Sequence, residues 1–577
     1  MKIGVNCVPI TVNRLNMQNT KILFFCLCAF VFNQAAIAQE DLPSEEVEVI
    51  KDFDARLIET EKVAINPTLP KQTNVTKTQT YNIPTRSLQV QYLPPKIRPL
   101  AMKRDKLPKQ YNGFLKAGYG VPSSPLVEAS YYTFYEEKLN VGGRFKHHSA
   151  NFKNLENQRF ANNEAELKGT YYKEEGYAIS GNLGYTSDQV HYYGYNENVP
   201  ADTVLNVNRE QVKQNFNTLK LGGTFFNGER TQGDLNYAAG FNFSNTKDNF
   251  ATSERNFDAH FGVTKWVADK HAINVGIKTD LTTFKNGDSR NADSLKQKLN
   301  NFYLTPNFTY HADAFKIKIG ANLVAVDGDF NFFPDIEASA NIVGNKFTVF
   351  AGAEGSLQKN SMKTISDYNP FVKTFGSLDI RNTDYNHFYG GIRGAFGAFN
   401  YKGQAGFKTV KNLALYLNDF NDFITTDIGD VSLNRLDVVY DDGNIFNIQG
   451  SVEATLFKNF DAAATVSVNA YDLDNQEKAW HLPATEFNVN AKYKMLEEKL
   501  ILKGELFIAN GVPYKTATDA TDNLNALLDV SAGAEYILTD NFSAFLNINN
   551  LLDNNRERWH SYETYGLNVM IGIQGRF

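Results

Sequence analysis

The chain has 577 residues, 42% of them hydrophobic and 13% aromatic, with 40 glycines and a formal charge of −6. That length exceeds one ordinary compact domain, and the charge holds no basic excess of the kind a nucleic-acid binder needs. The three cysteines, Cys7, Cys26 and Cys28, all fall in the first 28 positions; with that stretch removed, a disulfide scaffold, a zinc–thiolate centre and a cysteine nucleophile are excluded.

The first predicted element is a leader. Ile22 to Phe32 is an apolar core behind Lys21, followed by Ala36-Ile37-Ala38. A short apolar core ahead of small residues reads as a secretory signal peptide over residues 1–38, cut between Ala38 and Gln39. The core is too short for a membrane anchor. Met17, followed by Gln18-Asn19-Thr20-Lys21, makes a better translation start than Met1. Removing Lys2, Arg14 and Lys21 with the leader leaves 55 basic against 64 acidic residues. Beyond it no run of 18 apolar residues occurs, so no spanning helix is expected.

Residues 39–111 form a second region. Eight of the 17 prolines fall within it: Pro43, Pro67, Pro70, Pro84, Pro94, Pro95, Pro99 and Pro108. Proline removes ladder donors, so this is no sheet domain but a mostly extended segment. Ser44 to Leu57 has the spacing of one short helix, and Leu88, Val90 and Tyr92 alternate as a short strand does. Arg86, Lys96, Arg98, Lys103 and Arg104 make its second half basic. Arg86, Lys96 and Arg98 are candidate contacts to a barrel lumen with acidic positions such as Glu453 and Glu505.

From residue 112 to 577 the texture is alternation. Phe446, Ile448, Val452, Ala454 and Leu456 share one parity, and Asn447, Gln449, Ser451, Glu453 and Thr455 the other. Phe487, Val489, Ala491 and Tyr493 oppose Asn488, Asn490, Lys492 and Lys494 in the same way. Successive strand residues face opposite sides, so each strand has an oily and a polar side. A soluble sandwich alternates likewise; connection lengths discriminate. Ten short polar turns fall at 135–140, 173–176, 227–234, 267–270, 311–314, 343–346, 397–400, 457–460, 496–499 and 538–541. The connections between them are variable and often long, the longest at 188–212, 359–386 and 411–444. Ten turns and eleven loops join 22 strands. Short turns on one rim and long loops on the other mark an outer-membrane barrel, closed because lipid cannot satisfy an exposed sheet edge. The fold class is therefore all-β: a transmembrane antiparallel β-barrel of about 22 strands, residues 112–577, in the cell outer membrane and in contact with its lipid. Tyr131, Tyr132, Phe134, Tyr171 and Tyr172 suit an aromatic girdle.

Little points to chemistry. His147 and His148 are adjacent, so in a strand their rings diverge and do not pair on a metal. His271 and His311 fall on short turns, where they are solvated. Gly142-Gly143, Gly222-Gly223 and Gly390-Gly391 lie inside strands as packing positions rather than phosphate loops. No catalytic constellation, metal site or cofactor is expected.

Asn550-Leu551-Leu552-Asp553, a loop with Arg556, Arg558 and Trp559, and a terminal strand ending in Phe577 resemble the C-terminal end of TonB-dependent receptors. The 22-strand count resembles that family too, and the overall texture is similar to Bacteroidetes outer-membrane proteins of this type. The resemblance implies ligand uptake through the barrel and a periplasmic energy-coupling protein or other envelope partner. It departs in one respect: family members carry a globular plug longer than the Pro-rich 39–111 segment. Glu46-Val47-Glu48-Val49-Ile50 faintly resembles the family's coupling box. Asp202-Thr203-Val204 and Asp293-Ser294-Leu295 resemble Bacteroidetes O-glycosylation sites. The last strand, with Gly566, Val569, Ile571, Ile573 and Phe577, is the expected signal for the barrel-assembly machinery. Two functions follow: a receptor or transporter barrel, or a structural or assembly scaffold without transport. Neither is an enzyme.

Overall fold

The computed structural model describes residues 110–577 apart from 137, 153–154, 199–206, 288–295, 327 and 428. The cleavage residues Ala36, Ala38 and Gln39, the helix and strand expected before residue 110, the coupling-box stretch, the lumen candidates Arg86, Lys96 and Arg98, and both glycosylation patterns lie outside the described residues.

In chain order the strands are β1 (Gly113–Val121), β2 (Ser124–Tyr135), β3 (Leu139–Asn151), β4 (Arg159–Tyr172), β5 (Tyr177–His191), β6 (Lys213–Asn227), β7 (Leu235–Lys247), β8 (Ser253–Val267), β9 (His271–Lys285) and β10 (Lys296–His311). Next come β11 (Phe315–Val326), β12 (Asp329–Val343), β13 (Phe347–Asn360), β14 (Arg381–Phe396), β15 (Phe399–Asn418), β16 (Phe423–Thr426), β17 (Gly429–Ser432), β18 (Leu436–Phe457) and β19 (Phe460–Leu473). The last are β20 (Thr485–Met495), β21 (Leu500–Asn510), β22 (Pro513–Lys515), β23 (Thr521–Asn523), β24 (Leu527–Ile537), β25 (Phe542–Asn549), β26 (Glu557–Trp559), β27 (Tyr562–Glu563) and β28 (Asn568–Arg576). One helix, α1 (Met362–Tyr368), sits between β13 and β14. Its N-cap Ser361 accepts from the Thr364 amide, and the Thr364 hydroxyl accepts back from the Ser361 amide, a reciprocal capping box.

Twenty-two of these strands make one antiparallel sheet. It closes where β1 pairs with β28, from Phe114 opposite Arg576 to Val121 opposite Val569. The remaining six form three small ribbons, β16–β17, β22–β23 and β26–β27, within long loops. Each of the ten predicted turns joins two wall strands on one rim. The long loops are shorter than alternation suggested. β5 runs to His191, β13 to Asn360 and β15 to Asn418, and β18 starts at Leu436, so the three longest loops shrink to 192–212, 361–380 and 419–435. Past the apolar zone, ladder bonds continue while both faces meet protein or water, so the alternation that reveals a strand stops before the strand does.

Register shows which side faces out. Phe446, Ile448 and Val452 are 42–48% exposed and lie in ladders with Phe407 and Ala405 on one side and Ala470, Val468 and Ala464 on the other. This row of large exposed apolar side chains circles the wall, the face a lipid-embedded barrel turns outward. The opposite parity carries Asn447, Gln449, Glu453 and, on β21, Glu505. Gly142, Gly222 and Gly391 sit inside β3, β6 and β14. A Cβ on Gly391 would lie 2.2 Å from the Gly403 carbonyl, and one on Gly142 2.2 Å from the Tyr132 ring, so these glycines permit close strand approach.

The girdle residues divide. Tyr131, opposite Gly143, and Tyr171, opposite Leu139, take the outward register, whereas Tyr132 pairs opposite Gly142 on the inward parity. Phe134 and Tyr172 share that inward parity and stack on each other at the short-turn rim, centroids 6.4 Å apart. His271 and His311 are not on turns: they begin β9 and end β10, half-buried. His271 stacks on Tyr310 at 4.4 Å, and its Nδ1 accepts the His311 amide at 3.1 Å.

Candidate functional site: the lumen and its loop cap

The inner wall is polar because each strand turns its second parity inward. Between β2, β3 and β4, Arg144 reaches Glu164 at 3.2 Å and Glu128 at 3.8 Å. On β11–β14, Lys318 pairs with Asp335 at 2.5 Å, and Glu337 receives Arg393 at 3.6 Å and the Tyr389 hydroxyl at 3.2 Å. At the closure, Glu535 of β24 accepts from Ser543 at 3.0 Å and from Gln574, with Lys503 at 3.8 Å and Arg576 at 3.5 Å. The last-strand residues take up the two sides of this seam. Val569, Ile571 and Ile573 face out, the latter two 66% and 62% exposed. Phe577 stacks on Tyr131 at 6.5 Å, and its backbone exchanges two hydrogen bonds with Gly113. Gly566 precedes the strand, which starts at Asn568 rather than at residue 566.

His147 and His148 diverge. His147 Nδ1 lies 2.7 Å from Asn163 Oδ1, while His148 Nε2 lies 3.3 Å from Ser124 Oγ on the other side of the sheet. Among the described residues, no group of three or more His, Cys, Asp or Glu side chains is set to hold a metal ion.

The feature that sequence reasoning missed is at the long-loop rim. Loops from well-separated parts of the wall share one hydrophobic core: Tyr192 and Tyr195 from β5–β6, Phe371 from β13–β14, Leu433 from β15–β18, and Trp559 and Tyr562 from β25–β28. Tyr562 stacks on Phe371 with centroids 4.0 Å apart and donates its hydroxyl to the Leu433 carbonyl at 2.9 Å. Tyr193 donates to the Glu563 carbonyl at 2.7 Å, and Asn434 donates to the Gly194 carbonyl at 3.1 Å. Arg435 pairs with Asp422 at 2.5 and 3.2 Å while its guanidinium lies over the Tyr192, Phe250 and Phe375 rings. Beside this core, His481 is 1% exposed. Its Nδ1–H donates to the Tyr416 carbonyl at 2.7 Å and its Nε2 accepts the His560 amide at 3.2 Å, which fixes one neutral tautomer. Burial pushes its pKa down to about 4. The available signal was the aromatic content of the loops: two of the three tryptophans, Trp480 and Trp559, and Tyr192-Tyr193-Gly194-Tyr195 all lie outside the wall.

Under the cap, between loops and inner wall, lies a cavity of about 540 Å³. Asn162, Asp188 and Phe216 contribute from the wall, Asp367 and Phe371 from the β13–β14 loop, and Arg558 and Trp559 from the β25–β28 loop. Arg558 lies 5.4 Å over the Trp559 ring and 5.9 Å over Tyr368, and its Nη1 is buried with no hydrogen-bond partner.

No family model and no curated protein matches the chain. Solved structures do. The siderophore receptor PirA from Acinetobacter baumannii matches at 10% identity, over 82% of this chain and 81% of that one, with a TM-score of 0.61. The pyoverdine outer membrane receptor FpvA from Pseudomonas aeruginosa, bound to pyoverdine, matches at 11% identity over 82% and 80%, TM-score 0.60. The alcaligin outer membrane receptor FauA from Bordetella pertussis matches at 12% identity over 82% and 77%, TM-score 0.53. At these identities the likeness is one of fold.

Proposed function

We propose that this chain is a receptor or transporter-type barrel of the outer membrane that passes a ligand through its lumen. The observation that carries this is the cavity beneath the loop cap. It is lined by the rings of Phe371, Trp559 and Tyr562 beside Asp188, Asp367 and Arg558, which suits a ligand with a flat apolar part and polar groups that donate as well as accept. The fold shared with solved siderophore receptors supports it. The Pro-rich 39–111 segment acts as a partial plug, joined to β1 at the short-turn rim, with Arg86, Lys96 and Arg98 set against inward acids such as Glu453 and Glu505. Each exposed pair adds only about 0.2–1 kcal/mol, so several are needed. The last strand and Phe577 serve the barrel-assembly machinery, and a periplasmic energy-coupling protein is the partner at the short-turn side. A scaffold role is the second reading, favoured by one observation: loops from four separate parts of the rim share a packed core.

Deleting residues 39–110 tests both. Heat-modifiable migration first establishes that the deleted form still folds as a barrel. In planar bilayers the full chain is expected to be electrically silent and the deletion to open a stable conductance, with faster vancomycin entry into cells. A folded deletion form that neither conducts nor admits vancomycin refutes passage and leaves the scaffold.

A further inference from the structure

On β7–β10 the outer face of the wall turns basic toward the long loops. Register sets Lys247, Ser253, Lys285 and Lys296 side by side in one row, and Asn245, Arg255, Thr283 and Lys298 in the next. Both rows have the parity of the exposed Phe257, Phe261, Ile277 and Phe302, so they point outward. The row beneath, Phe243, Phe257 and Leu281 with Asn300 at its β10 end, is apolar on β7–β9. All five cations are exposed, and none makes an ion pair or side-chain hydrogen bond among the described residues. The acids of these strands, Glu254, Asp258 and Asp280, take the opposite, inward parity, and no outward register position on β6–β10 holds a carboxylate. Several cations of the interior or the loops on the same side have partners: Lys359 with Asp280 at 2.7 Å, Lys373 with Asp419 at 2.9 Å, Arg435 with Asp422.

Four strands and two rows cover about 14 by 7 Å. Five like charges fit within roughly one or two Debye lengths and repel one another unless a counter-charge is present. We propose that this patch binds the phosphate groups of lipids in the loop-side leaflet. The proposal rests on the membrane-barrel reading. A lipid phosphate fits better than a free ion because the cations stand one row beyond side chains at acyl-chain height. There an anchored headgroup meets long side chains that run along the apolar surface to reach it.

The test inserts the purified full chain into phosphatidylcholine vesicles doped with a phosphorylated lipid A, or with the same glycolipid stripped of its phosphates. Glycolipid retained by the protein after extraction is measured by mass spectrometry. The wild type is expected to retain the phosphorylated form selectively. The triple variant Lys247→Gln, Arg255→Gln, Lys298→Gln should bind it on the order of a hundredfold more weakly, at about a factor of five per cation. A control triple on the short-turn rim, Lys270→Gln, Lys316→Gln, Lys499→Gln, should bind as the wild type does. Equal retention of the stripped glycolipid, or an unaffected patch variant, overturns the proposal. So does displacement of the glycolipid by inorganic phosphate at constant ionic strength, which would make this a free-anion site. Heat-modifiable insertion into undoped vesicles separates the two readings. Insertion without glycolipid preference sinks the patch alone; no insertion of the wild type sinks the membrane barrel and the patch with it.

Discussion

Tyr562 holds the loop cap together, and its replacement tests whether the cap is a unit separate from the wall. The side chain is 1% exposed, stacked on Phe371 at 4.0 Å, edge-on to Tyr193 at 5.1 Å, and bonded to the Leu433 carbonyl. Tyr562→Ala removes a fully buried ring, a loss of about 3–5 kcal/mol, and strands a buried carbonyl. Tyr562→Phe keeps the ring and loses only the hydrogen bond, about 1–2 kcal/mol. None of these contacts belongs to the wall ladders, so the loss should appear as local opening of the cap. Hydrogen exchange followed by mass spectrometry reads this directly. With about 4 kcal/mol lost, amides at 192–198, 361–380 and 429–436 should exchange close to a thousandfold faster in the alanine variant and roughly tenfold faster in the phenylalanine variant. Protection in β2–β4 should not change. Unaltered exchange in those three segments, or an equal loss of protection in the wall, would refute the idea of an independent cap.

His481 gives the cap an acid limit. Its folded pKa of about 4 lies below the ordinary 6.5, so the unfolded or opened loop binds the proton first. The stability it confers is complete above pH 6.5 and is lost as pH falls toward 4, up to about 3 kcal/mol. Loop exchange should therefore accelerate over that window, and His481→Asn should flatten the pH profile; a profile unchanged by the substitution counts against the assignment. At the seam, Phe577→Ala keeps the two backbone bonds to Gly113 but removes the ring stacked on Tyr131. Barrel assembly in cells should drop severalfold with increased degradation, measured by heat-modifiable band intensity, and wild-type levels would place the assembly signal elsewhere.

The wall was legible in the sequence because lipid on one side and water on the other impose a two-residue period. The turns that interrupt the period are short and polar, so those at 397–400 and 457–460 could be placed from the sequence alone, although the strands leave only residues 397–398 and 458–459 between them. The cap was not legible. Tyr192, Phe371, Leu433 and Tyr562 are far apart in sequence and sit in loops without periodicity, so nothing local says that they meet. Strand tips failed for a related reason: Val410 to Asn418 of β15 pass from lipid to loop packing, where both faces are covered. The Glu535 cluster is intermediate. The inward parity of Gln574 and Arg576 was readable, but their meeting with a carboxylate on β24 depends on the closure of the barrel.

The β11–β12 hairpin turns back early, leaving only residues 327–328 between its strands. Beyond it the next hairpin leans inward: a Cβ on Gly355 of β13 would lie 2.9 Å from the ring of Phe333, which is buried on the inward parity of β12. Lys359, of the outward parity of β13, reaches the inward Asp280 of β9, and Asn382, of the outward parity of β14, exchanges side-chain hydrogen bonds with the inward Asn301 of β10 at 3.1 and 2.8 Å. Outward faces meet inward ones, so the tips of β13 and β14 stand inside the wall of β9–β12 rather than beside it. They carry loop 361–380 part of the way across the mouth, and the cap's loops meet with less chain than the full width of the barrel demands.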